Sequence, residues 1–206
     1  MALTEQQKQK KAKQKKLRRK SGSTLNNSSN LLTEKITPYL EHPFYECLIP
    51  HNLFEAGIGN ILITRLSPQG EVVIASFIVD VYCLGIKKTL FKTLPLPEYE
   101  QSFKAGIIKS HGDYAFTKIK PSCAKKLLDG AAEYAKELGF TPYKDYHALK
   151  TIFGTEKLGF CWSRYRFGKD KMPFYVKGPN ESSADANHII ATLEKNCGAG
   201  NFHYHL

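Results

Sequence analysis

Asn60–Leu66 (NILITRL), Ser67–Gly70 (SPQG) and Glu71–Cys83 (EVVIASFIVDVYC) form the stretch that decides the fold. Two runs rich in β-branched residues flank a tetrapeptide holding Pro and Gly, the pattern of an antiparallel hairpin. In the second run Val73, Ala75, Phe77, Val79, Val81 and Cys83 share one wholly apolar face. The other face carries Val72, Ile74, Ser76, Ile78, Asp80 and Tyr82. A strand apolar on both sides belongs inside a sheet, because only an interior strand buries both faces. With Leu66 set opposite Glu71, Asp80 falls opposite Gly57, in the stretch EAGIG (Glu55–Gly59).

Downstream, Glu98–Lys109 reads as a short helix, and Pro121–Leu138 as a longer one with Ala124, Leu127, Leu128, Ala131, Ala135 and Leu138 on one stripe, ended by Gly139. Thr141–Pro142 reads as the start of a helix running to about Phe153. A second hairpin is expected from Phe160–Phe167 (FCWSRYRF) and Met172–Lys177 (MPFYVK) around the turn Gly168–Lys171. Ser182 or Ser183 then caps a helix with Ala186, Ile189, Ile190, Leu193 and Cys197 inward, and Asn201–Leu206 (NFHYHL) closes the chain as a strand. The order of elements, with hairpins in place of βαβ repeats, predicts an α+β fold: one domain with a largely antiparallel sheet and packed helices, over residues 31–206.

The charge is uneven. Residues 1–20 hold nine of the 30 Lys/Arg and one of the 19 acids, so they carry +8 of the net +11, and the other 186 residues carry +3. Lys8, Lys10, Lys11, Lys13, Lys15, Lys16, Arg18, Arg19 and Lys20 make a basic tail with no apolar face to bury, expected to be disordered or helical only on binding; SGSTLNNSSN (21–30) reads as a polar linker. Such a run contacts phosphates by releasing counterions, and it also serves as a nuclear-import address or as a solubiliser. Arg164, Arg166, Lys169 and Lys171, interleaved with Trp162, Tyr165, Phe167, Phe174 and Tyr175, extend the nucleic-acid reading, since cations track phosphates while rings stack on bases. An amphipathic hairpin with its aromatics in the core explains the same letters.

Asp80 is the candidate catalytic or ligand-binding residue. Gly57 and Gly59 would leave room beside its carboxylate, with Cys83, Lys87 and Lys88 close by; a strand-end cap or a lysine ion pair is the structural alternative. The five cysteines (Cys47, Cys83, Cys123, Cys161, Cys197) show no CxxC pair, and their odd number predicts free thiols and no structural disulfide. His203 and His205 would share a strand face but have no third metal ligand in sequence, so no metal and no cofactor is expected. The longest apolar run, Val72–Leu84, is broken by Ser76 and Asp80 and falls short of a membrane span; no secretory signal opens the chain, and a cytoplasmic protein is expected.

FIVDVYCLGIKK (Phe77–Lys88), FGKDKMPFYVKGPN (Phe167–Asn180), HNLFEAGIGNILITR (His51–Arg65), AAEYAKELGF (Ala131–Phe140) and the FHYHL ending resemble a group of uncharacterised bacterial proteins of about this length. The resemblance implies a bacterial intracellular origin and brings no activity or catalytic residue with it. The leading functional expectation is therefore a non-enzymatic accessory protein bound to nucleic acid or a ribonucleoprotein such as the ribosome. The alternatives are an enzyme or ligand-binding domain centred on Asp80, and a bacterial protein delivered into a host cell with the tail as nuclear address.

Overall fold

The structure, a computed structural model, describes residues 30–112, 114–155 and 157–206. The tail cations Lys8–Lys20 and residues 21–29 of the linker lie outside the described residues. The central hairpin forms as β2 (Ile58–Leu66) and β3 (Glu71–Asp80), inside a five-stranded antiparallel sheet of order β4-β3-β2-β1-β5. Its outer members are β1 (Phe44–Pro50), β4 (Gly85–Pro95) and β5 (Phe116–Lys118). The register differs by one residue from that read in the sequence: Leu66 faces Val72, so Asp80 faces Ile58 and not Gly57. The cause lies in the loop. Ser67 N–H donates to Glu71 O (2.9 Å) and Gly70 N–H to Ser67 O (3.0 Å), so Ser67 pairs with Glu71 and the loop is Pro68–Gln69–Gly70. Gly70 takes the left-handed conformation (φ 80°) that a three-residue hairpin loop asks of its last member.

Both faces of β3 are covered. Val73, Ala75, Phe77 and Val79 pack against Ala124, Leu127, Leu128 and Ala131 of helix α1 (Pro121–Glu137), whose apolar stripe is buried as its spacing requires. On the other face Val72 and Ile74 join Leu94 and Tyr99, with the helical segment 96–110 lying over them. Beneath that segment Glu46 is buried, accepting from Tyr99 Oη (2.6 Å) and paired with Lys104 (2.9 Å), which satisfies a carboxylate in apolar surroundings. The strand β4, absent from the sequence expectation, is an edge strand whose exposed positions include Lys88 and Lys92. Lysines on an unpaired edge oppose association with a second sheet.

Arg65 is the largest side chain inside the core, 1% exposed. Its guanidinium donates to Ile152 O (2.8 Å), Leu40 O (2.8 Å) and His42 O, and lies 3.9 Å from the centre of the Phe44 ring. Carbonyl oxygens thus replace the water that a buried charge would otherwise lose.

Two expected elements are corrected. Residues 160–167 join no ladder, and β6 (Phe174–Val176) pairs in parallel with β7 (His203–His205); of the second hairpin only the bridge Lys169–Met172 exists. The inward rings account for this. Tyr165 stacks on Phe54 (centroids 5.8 Å apart) and Phe167 on Tyr134 (5.7 Å), while Lys126 Nζ donates to Cys161 O and Ser163 O, so the segment is bound to the body by side chains and not by a partner strand. The helix expected from Thr141 shrinks to Tyr146–Leu149 and a 3-10 turn Lys150–Phe153, because Tyr143 N–H donates to Ile86 O (2.9 Å) and draws the chain to the edge of β4. The last helix, α2 (Ser183–Cys197), starts with the Ser182/Asp185 capping box. Among the described residues no helix is long and apolar enough to cross a membrane.

The expectation of five free thiols fails for two of them. Cys123, in the first turn of α1, and Cys161 form a disulfide with Cα atoms 5.1 Å apart, joining positions 38 residues distant. Cys47, Cys83 and Cys197 are free. Removing the link by Cys123→Ser with Cys161→Ser is expected to lower stability by about 2–4 kcal/mol through the freed entropy of the unfolded chain. Urea unfolding of the oxidised protein, the same protein with dithiothreitol, and the double variant checks this: the last two should coincide below the first.

Candidate functional site

Asp80 is the last residue of β3 and is 7% exposed. Its Oδ1 accepts the backbone N–H of Tyr82 and of Cys83, both at 2.9 Å, so the carboxylate caps the turn that leads into β4. Burial pushes its pKa up to about 6, against the opposing pull of the Cys83 and Tyr82 amides and of the Lys87 charge.

Lys87 reaches this point through an irregularity in the ladder. Ile78 pairs with Lys88 and Val79 with Ile86, leaving Lys87 as the extra residue of a β-bulge. A bulge re-aims a side chain that regular pleating would send elsewhere. Lys87 Nζ pairs with Glu181 at 2.6 Å, and Glu181 also accepts from Tyr175 Oη (2.8 Å) and Gly178 N–H (2.9 Å). Burial acts to raise the Glu181 pKa, but Lys87 and these two donors hold it below the usual value.

A cavity of about 220 Å³ opens here. One wall is Ala56, Gly57, Ile58, Asp80, Tyr82 and Lys87; the other is Phe174, Val176, Lys177, Gly178 and Pro179. Three chain stretches far apart in sequence therefore converge on one hollow. The glycines play a different part from the one expected. A Cβ on Gly57 would lie 2.2 Å from the Tyr82 ring, and one on Gly59 would lie 2.7 Å from Pro50, so the room they leave is filled by packing. The hollow owes its second wall to the segment before α2. Lys88, expected beside Lys87, is exposed away from it. Cys83 is fully buried, and burial pushes its thiol pKa up, which leaves it un-ionised and unreactive.

Sequence reasoning missed Glu181, and it read Lys177 as part of the basic surface with Lys169 and Lys171 and not as part of this cavity. Their only signal is proximity to Gly178–Pro179, a loop whose neighbours are set by tertiary folding.

The basic and aromatic positions of 160–171 divide sharply. Tyr165, Phe167 and Phe174 pack on the core and Tyr175 is buried. Trp162 stands 84% exposed, with Phe160, 66% exposed, set edge-on to it at 4.6 Å between centroids. Arg164 and Arg166 are exposed on alternate positions after Trp162, and among the described residues neither has an acidic partner. Lys169 lies 4.8 Å from the Phe174 ring centre. Asp170 (φ 52°) and Lys171 (φ 70°) both sit in the left-handed region, which costs on the order of 1 kcal/mol or more at each non-glycine. His203 and His205 are exposed, and among the described residues no group of three or more His, Cys, Asp or Glu could hold a metal ion.

The chain has no significant match among protein-family models, curated proteins or solved structures.

The raised Asp80 pKa has a definite sign for stability. The folded state holds the proton more tightly than the unfolded chain, whose value is near 3.8, so stability from this group is greatest below pH 4 and is lost as pH rises through about 6. Asp80→Asn keeps a carbonyl acceptor for the Tyr82 and Cys83 amides and removes the charge. Above pH 6 the variant is expected to be more stable than the native protein by up to about 3 kcal/mol, with the gap closing towards pH 4, as read from urea melts across that range.

Proposed function

We propose that this protein associates with single-stranded nucleic acid or a ribonucleoprotein, and that the strip Phe160–Lys171 contributes the contact made by its body. The observation that carries the reading is Trp162. A tryptophan left 84% exposed beside an exposed Phe160 leaves apolar ring area in water that folding has not used, and large exposed rings mark contact sites. Arg164 and Arg166 follow it with no acidic partner among the described residues, and Lys169 and Lys171 extend the positive charge. Rings that accept stacked bases, alternating with cations along one segment, match a phosphate backbone with its bases turned inward. The nine cations between Lys8 and Lys20 would add affinity independent of sequence.

Trp162 is the sole tryptophan of the chain, so its fluorescence reports on this surface alone. Titration of the full chain with an oligothymidylate at low salt is expected to quench it, with apparent affinity falling steeply as salt rises. Trp162→Ala, which leaves no tryptophan to observe, should weaken binding by about 1–3 kcal/mol as read by the anisotropy of a dye-labelled oligothymidylate. Arg164→Ala with Arg166→Ala should lower both affinity and salt slope. Binding that leaves the fluorescence unchanged would assign the contact to the tail alone, and no binding at low salt would end the proposal.

A further inference from the structure

The hollow beside Asp80 plays no part in the nucleic-acid reading and lies on different residues. We propose that it binds a small organic carboxylate: an apolar body about the size of benzoate, with its anionic head between Lys177 and Lys87.

The walls select the body. Ile58, Tyr82, Phe174, Val176 and Pro179 are apolar or ring surfaces, and Ile58 and Val176 remain 44% exposed among the described residues. The volume of about 220 Å³ equals roughly seven waters of liquid, enough for one ring or a short alkyl chain and too small for a nucleotide.

The charges select the head. Glu181 is engaged by three donors, Lys87, Tyr175 and Gly178, so it is a fixed part of the wall and not a group waiting for a cation. Lys87 is aimed here by the β-bulge and stands between Glu181 and Asp80, which it stabilises electrostatically. Lys177 has its backbone held by a hydrogen bond to His205 O (2.8 Å), while its ammonium has no acidic partner among the described residues. An incoming anion would meet one uncompensated ammonium and a second that is shared.

Asp80 makes the binding depend on pH. The groups that act on it are Tyr82 and Cys83 on its own turn, Lys87 on β4 and Tyr134 on α1, with Glu181 paired to Lys87 and Lys177 lining the same cavity. Burial pushes the Cys83 thiol and the Tyr82 and Tyr134 hydroxyls upward, so they stay neutral, and Glu181 stays charged. Asp80 is thus the group that changes charge near pH 6. Neutral below that point, it leaves Lys87 to the ligand; ionised above it, it competes for Lys87 and repels the head. Affinity for a carboxylate therefore falls as pH rises, and affinity for an amine of the same shape would rise.

The test is a titration of the full chain with benzoate and, separately, benzylamine, at about pH 5 and about pH 8, by calorimetry and by amide shifts in NMR spectra. Benzoate is expected to bind roughly tenfold more tightly at the lower pH, with shifts at residues 56–58, 80–87 and 174–179, and benzylamine to bind weakly at both. Lys177→Ala should weaken benzoate several-fold, and Val176→Trp, at a half-exposed position, should abolish binding while circular dichroism stays unchanged. Asp80→Asn should flatten the pH dependence, and Trp162→Ala should leave benzoate binding intact, which separates this site from the nucleic-acid surface. Absence of benzoate binding, preference for the amine, tighter binding at the higher pH, or binding that survives Val176→Trp would each overturn the proposal.

Discussion

Everything in this architecture answers to one strand that is apolar on both sides. β3 leaves neither of its faces to water, so the sheet must be covered twice, and two unrelated helical segments supply the covers. The first, α1, is long and regular because its partner surface of Val73, Ala75, Phe77 and Val79 is flat and wholly apolar. The second, 96–110, is less regular and has to accommodate the buried pair Glu46–Lys104 along with Leu94 and Tyr99. Burial continues past the end of β3, and this places the Asp80 carboxylate in a largely apolar setting, held by turn amides and the Lys87 charge. A structural device and a chemically unusual group thus have the same origin.

What could be read from the letters follows from the range over which each signal acts. The hairpin, the stripe of α1 and the Ser182 cap of α2 are local patterns and form close to where they were read, although β3 ends at Asp80 and not at Cys83, where the chain turns towards β4. The edge strand β4 was invisible because Lys87, Lys88 and Lys92 with Thr89 and Thr93 are polar letters, and an exposed edge prefers such letters. FCWSRYRF alternates like a strand, yet its inward rings find Phe54 and Tyr134 in place of a neighbouring backbone. A one-residue error in the loop moved the partner of Asp80 from Gly57 to Ile58. Asp80 itself was legible as a carboxylate misplaced in an apolar run. Glu181, Lys177 and the Cys123–Cys161 link were not, since each acquires its meaning from a residue at least 38 positions away or from the cavity it lines.

The C-terminal quarter of the chain lends its side chains to both proposed surfaces. Phe160, Trp162 and the arginines face outward, while Phe174, Val176 and Lys177 close a hollow that the main sheet leaves open. Between the two stands Phe174, with Lys169 over its ring on one side and the cavity on the other. The sheet is the scaffold, and this irregular segment, held by a disulfide, stacked rings and Lys126, carries side chains of both proposed surfaces.

Arg65 carries a consequence for how the chain reaches this state. Its three carbonyl acceptors come from Leu40, His42 and Ile152, so they belong to segments before β1 and after α1. A partly formed hairpin offers none of them, and a guanidinium drawn into such an intermediate would lose its hydration with nothing in exchange. Any state that buries Arg65 before the segments preceding β1 and following α1 close over it is therefore penalised, so this charge favours the complete domain over a partial one.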